Sequence, residues 1–189
     1  MYPAILSFSN AGPAVINALI EGIILRSRIA SSKRFLLRRN SSYHTVNFKP
    51  NVVVVTLQSE VAKRIVASPG DMSVLAVSVQ FYGLPQLMGR IPSGAFYPRP
   101  ESDSCIVRID LYDNFQVPVS DADGFFRVVK AGFGQRRKQL QNALSSGLGI
   151  ERDHVASALL DAGIDPRRRA QTLALEEWAL IHEHLPVAF

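Results

Sequence analysis

Residues 51–57 read Asn51-Val52-Val53-Val54-Val55-Thr56-Leu57. An unbroken β-branched run without polar alternation describes a strand buried on both faces, as in a parallel sheet covered by helices. Glu60 to Ala67 follows as a short amphipathic helical pattern, stopped by Pro69-Gly70. In Ser73 to Tyr82 the apolar residues both alternate and cluster, so periodicity alone leaves strand and helix open. Gln86 to Ile91 and Asp103 to Tyr112 read as two further strands. The pattern breaks between Asp113 and Val119, where polar residues and Pro118 mark a boundary between a 51–118 domain and a 119–189 domain.

Beyond that boundary the period becomes helical. Phe125, Val128, Val129 and Phe133 share one helix face, and Leu140, Ala143, Leu144 and Leu148 continue the pattern up to a stop expected at Ser145-Ser146-Gly147. Asp153 to Leu160 is a third helix ending at Gly163, and Leu175 to Leu185 is the last. Glu176 and Glu177 suit the N-terminus of that last helix, where the dipole favours acids. Ala174 stands where a capping Ser or Thr belongs, which costs about 1 kcal/mol.

The two strands at 86–91 and 103–112 flank Phe96-Tyr97-Pro98-Arg99-Pro100. Each proline fixes its own φ and holds the preceding residue extended, so Tyr97 and Arg99 are both constrained and the loop is stiff. A rigid loop can present an aromatic at a fixed angle; it can equally be a proline turn with Phe96 in the core.

The stretch Phe96 to Arg108 resembles the F-x-P-x-P-x-x-x-S loop of the rRNA adenine dimethyltransferases. Gln58-Ser59-Glu60-Val61-Ala62-Lys63-Arg64 is similar to that family's Q-x-E-V-A-x-R segment. Phe133-Gly134-Gln135-Arg136-Arg137-Lys138-Gln139-Leu140-Gln141-Asn142-Ala143-Leu144 looks like its F-x-Q-R-R-K-x-L-x-N-x-L helix. Gly163 to Pro166, Arg169 to Leu173 and Glu176-Glu177-Trp178 resemble its final helices. The blocks stand in the family's order over roughly residues 51–185. The resemblance implies an α/β chain, the C-terminal half of a Rossmann-like methyltransferase sheet followed by a small all-α RNA-binding domain, with Ser73 to Tyr82 helical. It implies dimethylation of adjacent adenines in small-subunit rRNA, with S-adenosylmethionine as donor and small-subunit rRNA or its precursor particle as partner. Arg136-Arg137-Lys138 favours the ribosome-maturation branch over the Erm-type resistance methylases.

The same resemblance implies site residues. Phe96 would stack on the target adenine, splayed out of the RNA, and Pro98 and Pro100 would shape the substrate loop. Arg136, Arg137 and Lys138, a basic run on a helix, and Arg169 would contact RNA. A solvated face is the plainer reading of such a run, and Arg167 and Arg168 read as solvated. Gln58 and Glu60 sit at a strand–helix junction and read as structural, with Glu60 set to pair with Arg64.

Residues 1–50 do not fit the family pattern. A Gly-rich turn and a ribose-binding acid are needed to hold the donor, but this stretch has only Gly12 and Gly22, and Glu21 is its one acid. The catalytic N-x-P-Y motif is absent upstream of Asn51, so no catalytic residue is assigned. Three origins are open: a transit peptide, a divergent βα unit, or a truncated or frame-disturbed reading of a longer gene, with the last preferred. One helix around 13–29 and an irregular stretch around 31–48 are expected. The segment holds seven basic residues against one acid, while residues 51–189 hold 14 against 15. The overall +5 therefore comes from the part without family likeness, and a high isoelectric point is weak support for RNA binding.

Composition narrows the class. Hydrophobic content of 47% supports a core, and 20% charged residues argue against global disorder. The longest apolar stretch, Ala14 to Leu25, is too short for the ~18 residues of a span, so no membrane partner is expected and the chain reads as cytoplasmic. Cys105 is the only cysteine, which excludes an intramolecular disulfide. No metal is expected, since the four histidines are scattered and His182 and His184 read as solvated.

Overall fold

The computed structural model describes residues 4–7, 35–39, 42–46, 51–113, 115–119 and 121–185. In chain order the strands are β1 (Ala4–Ser7), β2 (Phe35–Arg39), β3 (Ser42–Val46), β4 (Val52–Gln58), β5 (Gly83–Ile91) and β6 (Ser104–Leu111). The helices are α1 (Ser59–Ile65), α2 (Val74–Tyr82), α3 (Ala122–Phe133), α4 (Leu140–Leu148), α5 (Arg152–Asp161) and α6 (Leu175–His184), with 3-10 turns at Ser93–Ala95 and Ala170–Thr172. The chain is α/β, as expected. No helix among the described residues is long and apolar enough to cross a membrane.

Two compact units emerge: Met1–Ala62 with Leu84–Tyr112, and Lys63–Gly83 with Asp113–Phe189. The expected 51–118 segment is thus divided. Residues 63–83, including α2, belong with the C-terminal helices.

The first unit is built on a sheet ordered β1-β4-β6-β5. β4 runs parallel to β1, from Ala4↔Val53 to Ser7↔Thr56. It is antiparallel to β6, from Val52↔Asp110 to Gln58↔Ser104. The valine run therefore sits between a parallel and an antiparallel neighbour. Its burial departs from the two-faced expectation. Val53, Val55 and Leu57 are buried, while Val52, Val54 and Thr56 on the alternate face are half-buried.

The stretch expected to be irregular around 31–48 contains an antiparallel pair, β2 with β3, in register from Phe35↔Val46 to Arg39↔Ser42. Tyr, Thr, Val and Phe within it favour extended backbone, a signal that the high Arg and Ser content obscured. The helix expected around 13–29 lies outside the described residues.

The second unit has its own closed core. Met72, Phe81, Phe125, Val128, Leu140, Leu159, Trp178 and Ile181 belong to one buried cluster. At its centre Phe81 stacks on Phe125 with ring centroids 4.8 Å apart, and Phe115 and Phe126 close around it at 4.7 and 5.2 Å. α2 joins this cluster as a helix, as the family likeness required. The Ser73 hydroxyl accepts from the Ala76 N–H at 3.2 Å and caps it. The Gln80 side-chain amide donates to the carbonyls of Ile65 and Ala67, at 3.0 and 2.9 Å. These carbonyls, at the end of α1 and just after it, would otherwise lack partners.

α4 does not stop at Ser145-Ser146-Gly147. It runs on to Leu148 and ends at Gly149, whose φ is 69°. Gly147 is instead a contact point, because a Cβ there would lie 2.7 Å from the Ala131 Cβ and 2.8 Å from its Cα. The glycine lets α3 and α4 approach at the backbone.

Candidate nucleic-acid interface

In the sheet unit the candidate residues sit on the loop between β5 and β6. Asp103 organises this loop. Its carboxylate accepts from the Ser93 backbone N–H at 2.7 Å and from the Arg90 Nε at 2.8 Å, while its backbone carbonyl accepts from the Ser59 N–H at 2.9 Å. The Arg90 guanidinium, then the Ser93 N–H, hold the Asp103 carboxyl below its ordinary range. Arg99 stands between the prolines, and its Nε donates to the Ser93 hydroxyl at 3.1 Å. The loop is thus tied at both ends to one serine and one aspartate. Sequence reading missed Asp103 and Ser93; the only signal was their position flanking the proline stretch.

Phe96 is half-buried, and its N–H reaches the Ser93 carbonyl at 3.3 Å. Part of the residue is open to a ligand and part is packed. Pro98 is exposed and Pro100 half-buried, with Tyr97, at full exposure, between Phe96 and Pro98. Cys105, at the start of β6, is buried with its sulfur 3.3 Å from the Ser59 hydroxyl. Glu60 and Arg64 are both exposed, and among the described residues no ion pair joins them.

In the helical unit, Arg136, Arg137 and Lys138 are exposed, but they do not stand on a helix. α3 ends at Phe133, the chain turns through residues 134–139, and α4 begins at Leu140. The Lys138 N–H closes the turn on the Gln135 carbonyl at 2.9 Å. Two causes combine: Gly134 is a poor helix former, and the first α4 amides find their partners on a segment distant in sequence. The N–H groups of Leu140 and Gln141 donate to the carbonyls of Arg168 and Pro166, at 2.7 and 3.2 Å. A distant loop therefore sets where the second helix starts and holds three cations on a turn.

The second arginine run divides by role. Arg169 is exposed. Arg167 pairs with Asp165 at 3.3 Å on the surface. Arg168, expected to be solvated, is a structural hub. Its Nη2 donates to the Thr172 carbonyl at 2.7 Å and to Glu177 Oε2 at 3.1 Å, its Nε to the Thr172 hydroxyl at 3.2 Å, and its Nη1 to Glu177 Oε1. Glu177 in turn accepts from the Ala174 N–H at 2.7 Å. The missing cap at Ala174 is thus half compensated, since the third helical residue reaches back to the cap amide. Burial pushes the Glu177 carboxyl up, but Arg168 and the Ala174 N–H outweigh it, so its pKa lies below the ordinary value of 4.5.

Of the two terminal histidines expected to be solvated, only His182 departs from that reading. His184 is exposed, its Nδ1 2.9 Å from the Leu180 carbonyl. His182 is half-buried, edge-on to Phe125 at 6.2 Å. No metal-ligating cluster occurs among the described residues.

The described residues by themselves show no S-adenosylmethionine site, and most of residues 1–50, upstream of β4, lies outside them. β4 passes directly from Gln58 into α1, leaving no room after it for a Gly-rich turn. Of the acids in the described part of the sheet unit, Asp103 is held by Arg90 and Asp110 by Arg108 at 2.7 Å. Glu60 and Glu101 lie exposed, the first on α1 and the second on the proline loop.

The fold resembles two solved methyltransferases. One is a dimethyladenosine transferase from Plasmodium falciparum, with a TM-score of 0.68 and 15% identity, covering 95% of this chain and 65% of that one. The other is the 23S rRNA methyltransferase ErmE, with a TM-score of 0.61 and 16% identity, covering 97% and 65%. At such identities the likeness is one of fold. Sequence similarity is much higher elsewhere. The ribosomal RNA small subunit methyltransferase A of Dehalococcoides mccartyi strain CBDB1 is 54% identical over 131 residues, covering 69% of this chain and 45% of the relative. Its counterpart in Moorella thermoacetica is 46% identical over 143 residues, covering 75% and 49%. The chain spans about half the length of these curated relatives. The family model for ribosomal RNA adenine dimethylase matches residues 38–186, beginning within β2 and taking in the loop of Phe96, the basic turn and the Arg168–Glu177 hub. With most of its length inside that match, the chain belongs to the ribosomal RNA adenine dimethylase family.

Proposed function

We propose that this chain serves the S-adenosylmethionine-dependent dimethylation of adjacent adenines in small-subunit rRNA during ribosome maturation, and that its described residues carry the RNA-binding part of the task. The observation behind this is the 54% identity over 131 residues to a small-subunit rRNA methyltransferase, together with the family match over residues 38–186, which holds Phe96 and the basic turn. Arg136, Arg137 and Lys138 are exposed on a turn fixed at its helical exit, so they can meet phosphates at little ordering cost. Phe96 offers a face to an extruded adenine, where stacking contributes ~1–3 kcal/mol. The loop prolines hold it at a set angle.

A second reading is favoured by the engaged acids of the sheet unit: an RNA-binding module of ribosome assembly without catalysis of its own. Two measurements on the full chain test them: the first tests the RNA contact common to both, and the second separates them. Binding to a labelled small-subunit rRNA fragment across a salt series should weaken and lose slope when Arg136, Arg137 and Lys138 become Ala, by about 0.9 in slope per phosphate contact removed. An unchanged slope would mean a solvated turn and remove RNA binding from it. Titration with S-adenosylmethionine should give no saturable micromolar binding on the second reading; saturable binding with methyl transfer to the RNA establishes the enzyme.

A further inference from the structure

The outer face of α3 carries the exposed Asp123, Arg127 and Lys130, with the half-buried Phe126 at its edge, at i, i+4, i+7 and i+3, away from Phe125, Val128 and Val129, which are buried. These four residues line a groove of about 590 Å³, closed on the far side by Gln135 and the small residues Ala143 and Gly147. That volume falls in the range of formed binding sites, ~300–1,000 Å³. The groove is open to solvent along Asp123, Arg127, Lys130 and Gln135, all exposed. Its far wall is held in place, because the Gln135 side-chain amide donates to the Ser146 hydroxyl of α4 at 3.0 Å.

The charges in the groove are not consumed. Asp123 stands four residues before Arg127, a spacing that suits a helical ion pair. Yet the ion pairs of the described residues include neither Arg127 nor Lys130. The contrast with Arg90, Arg108, Arg167 and Arg168, each on a carboxylate, is the informative point. The groove runs directly into Gln135 and hence into Arg136, Arg137 and Lys138. Five exposed cations against one acid thus stand along the groove and the turn that follows it, with a half-buried aromatic, Phe126, in the groove wall.

We propose that this α3–α4 groove is a second RNA-contacting site, in which Arg127 and Lys130 hold consecutive phosphates of a backbone that passes on to the basic turn, with Phe126 against a ribose or base. The inference rests on the RNA-binding reading above. Charge complementarity selects the occupant. A polyanion satisfies unpaired cations that a neutral or basic protein surface would leave desolvated, and the Arg fork suits phosphate oxygens.

The test uses the full chain and the same labelled rRNA fragment over a salt series. Arg127→Ala with Lys130→Ala should weaken binding about fivefold to thirtyfold near 0.1 M salt and flatten the logarithmic salt slope by about 1–2, at ~0.9 per lost phosphate contact. The melting temperature should stay unchanged, since both side chains are exposed. Asp123→Asn should tighten binding. Arg152→Ala, on α5 and outside the groove, should have little effect; a loss equal to that of the double variant would reduce the site to bulk charge and overturn it. If the double variant binds normally while the Arg136/Arg137/Lys138 variant does not, the groove is wrong and RNA binding stands. If neither variant changes affinity or slope, both fail together.

Discussion

The sheet unit and the helical unit use polar residues in opposite ways. In the sheet unit the arginines Arg90 and Arg108 sit on the carboxylates Asp103 and Asp110, and Arg99 is taken by Ser93. Polar side chains there hold a loop in shape. In the helical unit the core does the holding, with Trp178, Phe125, Leu140 and Leu144 fully buried, and most cations of α3 and the turn stay unpaired. The exceptions in this unit are Arg167, paired with Asp165, and Arg168, which organises the loop that caps α4. A rigid apolar core frees surface charge for a ligand, whereas a loop without a core beneath it consumes its charges in self-support. Charge alone therefore does not mark an RNA contact; the proposed contacts are unpaired charges clustered along one groove and the turn that follows it.

Four substitutions probe the contrast. The largest effect is expected from Trp178→Ala. The ring is fully buried and fills space left by Gly132, where a Cβ would lie 2.4 Å from it. Emptying that site should cost about 3–5 kcal/mol. Hydrogen exchange should speed up through α3, α4 and α6 while β4 and β6 stay protected; equal loss in both units would erase the division drawn here.

Arg168→Ala comes next, at about 1.5–3 kcal/mol for part-buried charge-assisted bonds. The cost has a pH signature. The Glu177 pKa in the folded chain lies below its ordinary 4.5. Its contribution is thus complete above about pH 4.5 and fades as pH falls through the folded value. Thermal melting of the parent and of Glu177→Gln should converge below that window; parallel curves down to pH 2 would discard the hub.

Phe96→Ala follows, with a loss of about tenfold to a hundredfold in binding an RNA with an extruded 2-aminopurine, from ~1–3 kcal/mol of stacking. Phe96→Trp should retain most of it. A large drop in melting temperature with binding reduced only in proportion to unfolded chain would make Phe96 a core residue. Smallest is Arg90→Ala, on an exposed pair. Melting should barely move, but limited proteolysis should now cut within residues 94–101. Resistance equal to the parent would show that Ser93 and Arg99 suffice to hold the loop.

Much of this was legible in the sequence. The valine run gave a central strand, Phe125-Val128-Val129 gave the inward face of α3, and the ordered blocks from Gln58 to Trp178 gave the family. Those signals are local, because strand and helix periods and turn residues act over a few neighbours. What escaped was set by partners far along the chain. Arg136 to Lys138 read as helical because their neighbours are helix formers, yet the carbonyls of Pro166 and Arg168 decide that the helix begins at Leu140. Arg168 reads the same as Arg167 and Arg169 until Glu177 and Thr172 are brought to it. Gly147 reads as a stop until Ala131 is found against it. The sequence by itself determined the elements, the family and the pool of candidate cations. Only the tertiary structure decided which cations are spent on carboxylates and which remain free, because pairing depends on distances that no local pattern encodes.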